Sequence, residues 1–143
     1  MKALFLAVGA AVLIACSETQ SARDPLDTTV CAVLADPSAF SGKLVRFRAG
    51  VLTDWHHGIA LLDRSCRGAI QLSSTDAVSI QQSEALDAAV GTLVNGGPNR
   101  TAVATFTGRV SWESQKSNDY MDNPLKLDAH VIERIEVSPR WER

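Results

Sequence analysis

The sequence predicts a mainly β domain, a five-stranded antiparallel barrel with one helix ahead of the strands and a second helix between strands three and four. Three observations carry this reading. Apolar residues alternate with period two over residues 43–53 and again over 101–112 and 125–137, the pattern of strands with one buried face. The period lengthens to a helical one in two places, residues 28–35 and 83–93. Clusters of Gly, Pro, Asn, Asp and Ser punctuate the chain between these runs.

Each element has its own signal. Residues 17–25 are polar, carry no periodic apolar residues and end in Pro25, which reads as a flexible tether. Asp27 or Thr28 then caps a short helix whose Val30, Val33 and Leu34 share one face, and Asp36-Pro37 ends it. Ser41-Gly42-Lys43 turns the chain into the first strand. There Val45, Phe47, Ala49 and Val51 alternate with Leu44, Arg46, Arg48 and Gly50. The turn Asp54-Trp55-His56-His57-Gly58 leads into two short strands, 59–63 and 68–72, joined by Arg64-Ser65-Cys66-Arg67, so the first three strands form a meander. Residues 73–82 have no clear period and read as a loop or an irregular helical turn. From 83 to 93, Leu86, Val90, Leu93 and Val94 share a helical face, and Asn95-Gly96-Gly97-Pro98 supplies the stop.

Strand four places Ala104, Phe106, Val110 and Trp112 on one face, with Gly108 where a barrel strand coils sharply. The last strand begins with Leu125, Leu127, Ala129 and Val131 in phase, then shifts to Ile132, Ile135 and Val137, which marks a bulge. The polar stretch 113–124 between them reads as a long exposed loop.

The first residues stand apart from this pattern. Lys2 precedes an apolar run that is too short to span a bilayer as a mature helix and ends in small residues, which together read as an export signal. The end of the run, Leu13-Ile14-Ala15-Cys16, resembles a bacterial lipobox. In proteins with that motif the Cys takes a diacylglyceryl thioether, the signal is cut just before it, and the new amine is acylated, commonly with palmitate. The resemblance therefore implies a signal peptide over 1–15, a lipidated Cys16 opening a tether over 16–26, and a domain over 27–143. It also implies an address in the bacterial cell envelope, with the lipid bilayer as a partner through Cys16, on the outer membrane facing the periplasm. Several lipid chains hold stably because each buried methylene contributes about 0.8 kcal/mol. The alternative is an ordinary secretory signal followed by a coincidental Cys.

Composition narrows the class of protein. Cutting 143 residues after residue 15 leaves 128, enough for one domain with a real core and too few for two. The formal charge is −2, and losing Lys2 makes it −3. That balance lacks the basic excess of a general nucleic-acid binder, so nucleic acid is not expected as a partner. With Cys16 assigned to lipid, Cys31 and Cys66 remain, and an even pair in an oxidising compartment is most simply a disulfide. A metal or redox site is the rival, without a Cys-x-x-Cys pair to support it.

A helix between the third and fourth strands of a five-stranded set is the arrangement of an OB-fold barrel. Phe40-Ser41-Gly42-Lys43-Leu44-Val45-Arg46-Phe47-Arg48-Ala49-Gly50-Val51 resembles the opening strand of small OB-fold domains in uncharacterised bacterial exported proteins, and Thr107-Gly108-Arg109-Val110 resembles their second Gly-containing strand. The likeness covers roughly residues 28–137 and implies the fold; it brings no catalytic residues. OB-folds bind oligonucleotides, oligosaccharides or proteins, and fold alone does not choose among them.

Candidate ligand-binding residues are Arg46, Arg48, Trp55, His56, His57 and Arg64. On such a barrel the ligand lies across strands two and three and the neighbouring loops, which would put Trp55, His56, His57 and Arg64 at one end of that surface with Arg46 and Arg48 on the adjoining strand. An exposed Trp beside Arg residues stacks and pairs with a ligand. The competing expectation is a solvated sheet face whose arginines meet carboxylates from other strands. The adjacent His56 and His57 would ligate a metal only from a bent turn with further ligands such as Asp54, Asp63 or His130, and no His-x-His or His-x-x-x-His spacing supports it. No Gly-x-Ser-x-Gly, Ser-x-x-Lys or His-Glu-x-x-His motif occurs. The sequence thus points to a non-enzymatic binding module for an envelope protein or an oligomeric ligand, with no cofactor expected. The alternatives are a lipoprotein handling metal or a small ligand at the His56/His57 turn, and an envelope enzyme.

Overall fold

A computed structural model describes residues 24–53, 58–95, 101–114 and 124–138. The elements run β1 (Leu26–Asp27), α1 (Val30–Ala35), α2 (Pro37–Phe40), β2 (Leu44–Thr53), β3 (Ile59–Leu62), β4 (Ile70–Ser74), α3 (Ile80–Asn95), β5 (Thr101–Trp112) and β6 (Leu125–Ser138). Strands β2 to β6 close on themselves in the order β2-β3-β4-β6-β5, with β2 also paired to β5. This is the expected five-strand OB-fold-like barrel with its helix between the third and fourth barrel strands. Two pairings in the sheet are parallel. β4 runs alongside β6, and the short β1 lies against β2 with Leu26 opposite Val45 and Asp27 opposite Arg46. Alternation along a strand tells which face is buried, not the direction of its neighbour, so neither parallel pair was visible in it.

The alternation holds along β2, whereas in β5 both faces are covered over residues 102–106. Val45, Phe47, Ala49 and Val51 of β2 point into the barrel and are almost fully buried, together with Ala104, Phe106 and Val110 of β5. Leu61 and Ile70 fill the barrel from β3 and β4, and Leu86, Ala89 and Val90 of α3 close it from one side. Trp112 packs against this core while partly exposed. The helix is longer than its periodic stretch because Ser79 caps it, its Oγ accepting from the Gln82 amide at 3.3 Å. No helix among the described residues is long and apolar enough to cross a membrane.

The N-terminal helix needs correcting in two details. Its cap is Thr29, whose Oγ1 accepts from the Ala32 amide at 3.1 Å, in place of Asp27 or Thr28. The sheet takes those two residues: Asp27 pairs with Arg46, and the Thr28 amide donates to the Arg46 carbonyl at 2.9 Å. Leu26, which the sequence groups with the tether, is therefore the first residue of the sheet. Pro37 does end α1, but it also opens α2, because a proline at the first helical position forgoes no hydrogen bond. Asp36 caps α2 by accepting from the Ala39 amide at 3.1 Å and the Ser38 hydroxyl at 2.7 Å.

Barrel closure depends on how β5 and β6 meet. The register shifts between Thr107 and Gly108, where Gly108 faces Ala129 and Thr107 faces Val131, leaving His130 as an extra residue. The strands approach so closely there that a Cβ at Gly108 would collide with the Asp128 carbonyl oxygen and lie 2.9 Å from the Ala129 Cα. The shift also corrects the phase of the last strand: it falls at His130, one residue before Val131, so Ala129 and Ile132 both point inward while Val131, which the sequence groups with the inward set, lies opposite Thr107 and is only partly buried.

This local chemistry gives two testable outcomes. Gly108→Ala should cost about 3 kcal/mol, read as a lowered urea midpoint, because the colliding atoms are backbone and cannot turn away. The hydrogen bonds Asp36 accepts from Ser38 and Ala39 hold its carboxyl below the usual carboxylate range. A depressed carboxylate stabilises above its unfolded pKa and loses that contribution as pH falls through its folded pKa. Thermal melts should therefore show Asp36→Ala less stable than the wild type at neutral pH, with the gap closing below the ordinary carboxylate range.

Candidate functional site

The outer face of β2 carries Arg46 and Arg48, and each meets a carboxylate from β6. Arg46 Nη2 lies 3.3 Å from Glu133 Oε2, and Arg48 Nη2 lies 2.8 Å from Glu136 Oε2. Strand β5 runs between the partners: in register, Arg48 opposes Thr105 and Thr105 opposes Glu133, so each arginine reaches past its direct neighbour. Thr105 is buried in the middle of this arrangement.

A second β6 irregularity makes the two pairs geometrically possible. Glu133 and Glu136 are three residues apart and would face opposite sides of a regular strand. The register shifts again here, with Thr105 opposite Glu133 and Val103 opposite Glu136, so Arg134 and Ile135 together oppose Ala104. Arg134 takes φ +52°, the left-handed conformation of a bulge. Both glutamates then face outward, spaced to match arginines two apart on β2. All four side chains are 38–64% exposed. Pairs so exposed are worth about 0–1 kcal/mol, so their main effect is to orient the guanidinium groups and neutralise them.

Next to the Arg48–Glu136 pair the surface falls into an open hollow of about 490 Å³. Gly50 of β2, Leu62 of β3 and Val103 of β5, neighbours in register, form its floor, with Ala49 at the edge of the lining; Asp63, Arg64 and Ser65 of the β3–β4 connector form a wall. An Asx turn shapes that wall, the Ser65 amide donating to Asp63 Oδ1 at 2.8 Å. The connector is bonded to the N-terminal helix through the Cys31–Cys66 disulfide, Cα to Cα 5.6 Å, as expected from the cysteine count.

The structure thus brings together two of the sequence candidates, Arg48 and Arg64, in the lining of one hollow. Arg46 lies further along β2, outside the lining. Trp55, His56 and His57 lie outside the described residues, as does Cys16. Among the described residues no group of three or more His, Cys, Asp or Glu side chains could hold a metal ion; His130 Nε2 stands 4.0 Å from Asp128 Oδ2 as an isolated pair. Sequence reasoning missed Ser65, Leu62, Val103 and Glu136, and raised Asp63 only as a possible metal ligand beside the His56/His57 turn. For Glu136 a signal existed, since the phase shift after Val131 already implied that residues three apart share a face.

No protein-family model matches this chain, and no curated protein matches it. Among solved structures, an OBody bound to hen egg-white lysozyme is similar at 15% identity and a TM-score of 0.35, over 71% of this chain and 87% of that one. At that distance the likeness carries no argument about function.

The bulge yields a direct test. A non-glycine residue held in the left-handed region costs about 1–2 kcal/mol, so Arg134→Gly should raise stability by roughly 1 kcal/mol in urea melts while the Arg46–Glu133 and Arg48–Glu136 pairs persist. A loss of stability would show that the Arg134 side chain contributes more than its backbone costs.

Proposed function

We propose that this chain is a lipid-anchored protein of the bacterial cell envelope, on the outer membrane facing the periplasm, that works as a non-enzymatic binding module. Its ligand is a protein or an oligomeric molecule held on the outer surface of the barrel. The observation that carries this reading is the hollow between β2, β5, β6 and the β3–β4 connector, where Arg48, Arg64, Asp63 and Glu136 converge over an apolar floor. Mixed polar groups around an apolar floor are the ordinary make-up of a recognition surface. The carboxylates nearest the hollow are engaged structurally, Glu136 with Arg48 and Asp63 with the Ser65 amide, which favours binding over acid–base chemistry. The lipobox-like Leu13-Ile14-Ala15-Cys16 supports the anchor.

The two halves separate experimentally. Full-length protein made in a bacterial host should partition into detergent and exceed the mass of the 128-residue chain by its acyl groups, and Cys16→Ser should abolish both. Soluble protein cut elsewhere, with a free thiol at Cys16, overturns the anchor. For binding, a photo-cross-linking residue in place of Ser65 should give a discrete adduct in intact cells, while the same residue in place of Glu84 on α3 should not. Equal labelling from both positions, or none from Ser65, overturns the hollow as the working surface.

A further inference from the structure

We propose that α1 is a positioning strut for the hollow: through the Cys31–Cys66 bond and the seat of Gly68 on Leu34, it holds the wall that carries Asp63, Arg64 and Ser65 in place. The inference rests on the reading of the hollow as the binding surface. The floor of the hollow belongs to barrel strands β2, β3 and β5 and is fixed by their ladders. The wall has no such support. Residues 63–69 lie between the end of β3 and the start of β4, outside the sheet pairing.

Two long-range ties to the wall come from α1. Cys66, two residues beyond Arg64, is bonded to Cys31. Gly68 takes φ +107°, and a Cβ there would lie 3.3 Å from Leu34 Cδ2, so the connector passes directly over this leucine. Helix α1 is itself anchored, with Val30 and Val33 fully buried in the barrel core and Thr29 capping its first turn. The strut therefore runs from the core through α1 to the wall. Its second role is the ordinary one of a disulfide that closes a long loop, and the two roles predict different things. A bond that only stabilises the chain raises every protection in the barrel together. A strut protects the wall beyond that shared change.

The test compares the full-length wild type with two variants, reading amide hydrogen exchange and the Ser65 photo-cross-link. In Cys31→Ser/Cys66→Ser, exchange of the Ser65 amide should rise at least tenfold more than that of Phe106 in β5, and the cross-link should fall at least fivefold. Gly68→Ala keeps the bond but strains the connector and presses on Leu34; it should raise Ser65 exchange several-fold with Phe106 unchanged, which keeps the proposal testable if the double variant does not fold. Ser65 and Phe106 rising in parallel, or an undiminished cross-link from a variant with a loosened wall, overturns the strut. Absence of the cross-link in the wild type overturns the binding surface itself and with it the strut, and is thereby told apart from a strut that fails on a working surface.

Discussion

Strand β6 has to satisfy two neighbours at once. It pairs antiparallel with β5 along nearly its whole length and parallel with β4 at its start, and closing the barrel bends it around both. A regular strand of that length cannot coil so tightly, so the ladder admits an extra residue twice, at His130 and at Arg134. Gly108 is the counterpart of the first bulge, since only the absence of a side chain lets β5 approach the Asp128–Ala129 backbone that closely. Closure thus sets the phase of everything downstream. It turns Ala129, Ile132 and Ile135 toward the interior at three-residue intervals and leaves Glu133 and Glu136 outside.

From that phase comes the electrostatic character of the outer face. Arg46 and Arg48 alternate regularly on β2 and would leave a basic stripe if β6 were regular, because one of its two glutamates would turn inward. With the bulge in place each arginine has a counter-ion. The face is then close to neutral and ordered across three strands, and a polyanion approaching it would have to displace Glu133 and Glu136 first. The gain in stability is small at such exposure. The other effect of the pairing is to place the Arg48 guanidinium beside Glu136 at the rim of the hollow.

Much of this was legible in the residues. The alternation of Val45, Phe47, Ala49 and Val51, the helical spacing of Leu86 and Val90, and the phase shift after Val131 each report burial on one face, and burial is what a sequence pattern encodes. The Cys31–Cys66 pair was legible by counting. What stayed hidden depended on contacts between residues far apart in the chain. Nothing near Asp27 shows that β2 will recruit it and leave Thr29 to cap α1. Nothing near Arg64 shows that residues 63–65 will line one hollow with Arg48 and Glu136, since that depends on where the barrel closes and where Cys66 is tied. Arg46 and Arg48 drew attention as a basic pair; the expectation that other strands would supply carboxylates described their surroundings well.

The division of labour inside the fold tracks the division between ladder and loop. Floor residues of the hollow sit in strands whose backbones are committed to neighbouring strands, so their positions are over-determined. Wall residues sit in a connector of seven, 63–69, whose backbone finds its partners locally, as in the Asp63–Ser65 turn. Such connectors are where stability is lowest and where side chains are free to vary without disturbing a core. Tying this one to α1 at Cys66, and seating it on Leu34 at Gly68, lets it carry Arg64 on a short irregular segment without giving up a defined place for it. The barrel supplies a rigid surface, and a covalent tie extends that rigidity to a loop that the ladders do not reach.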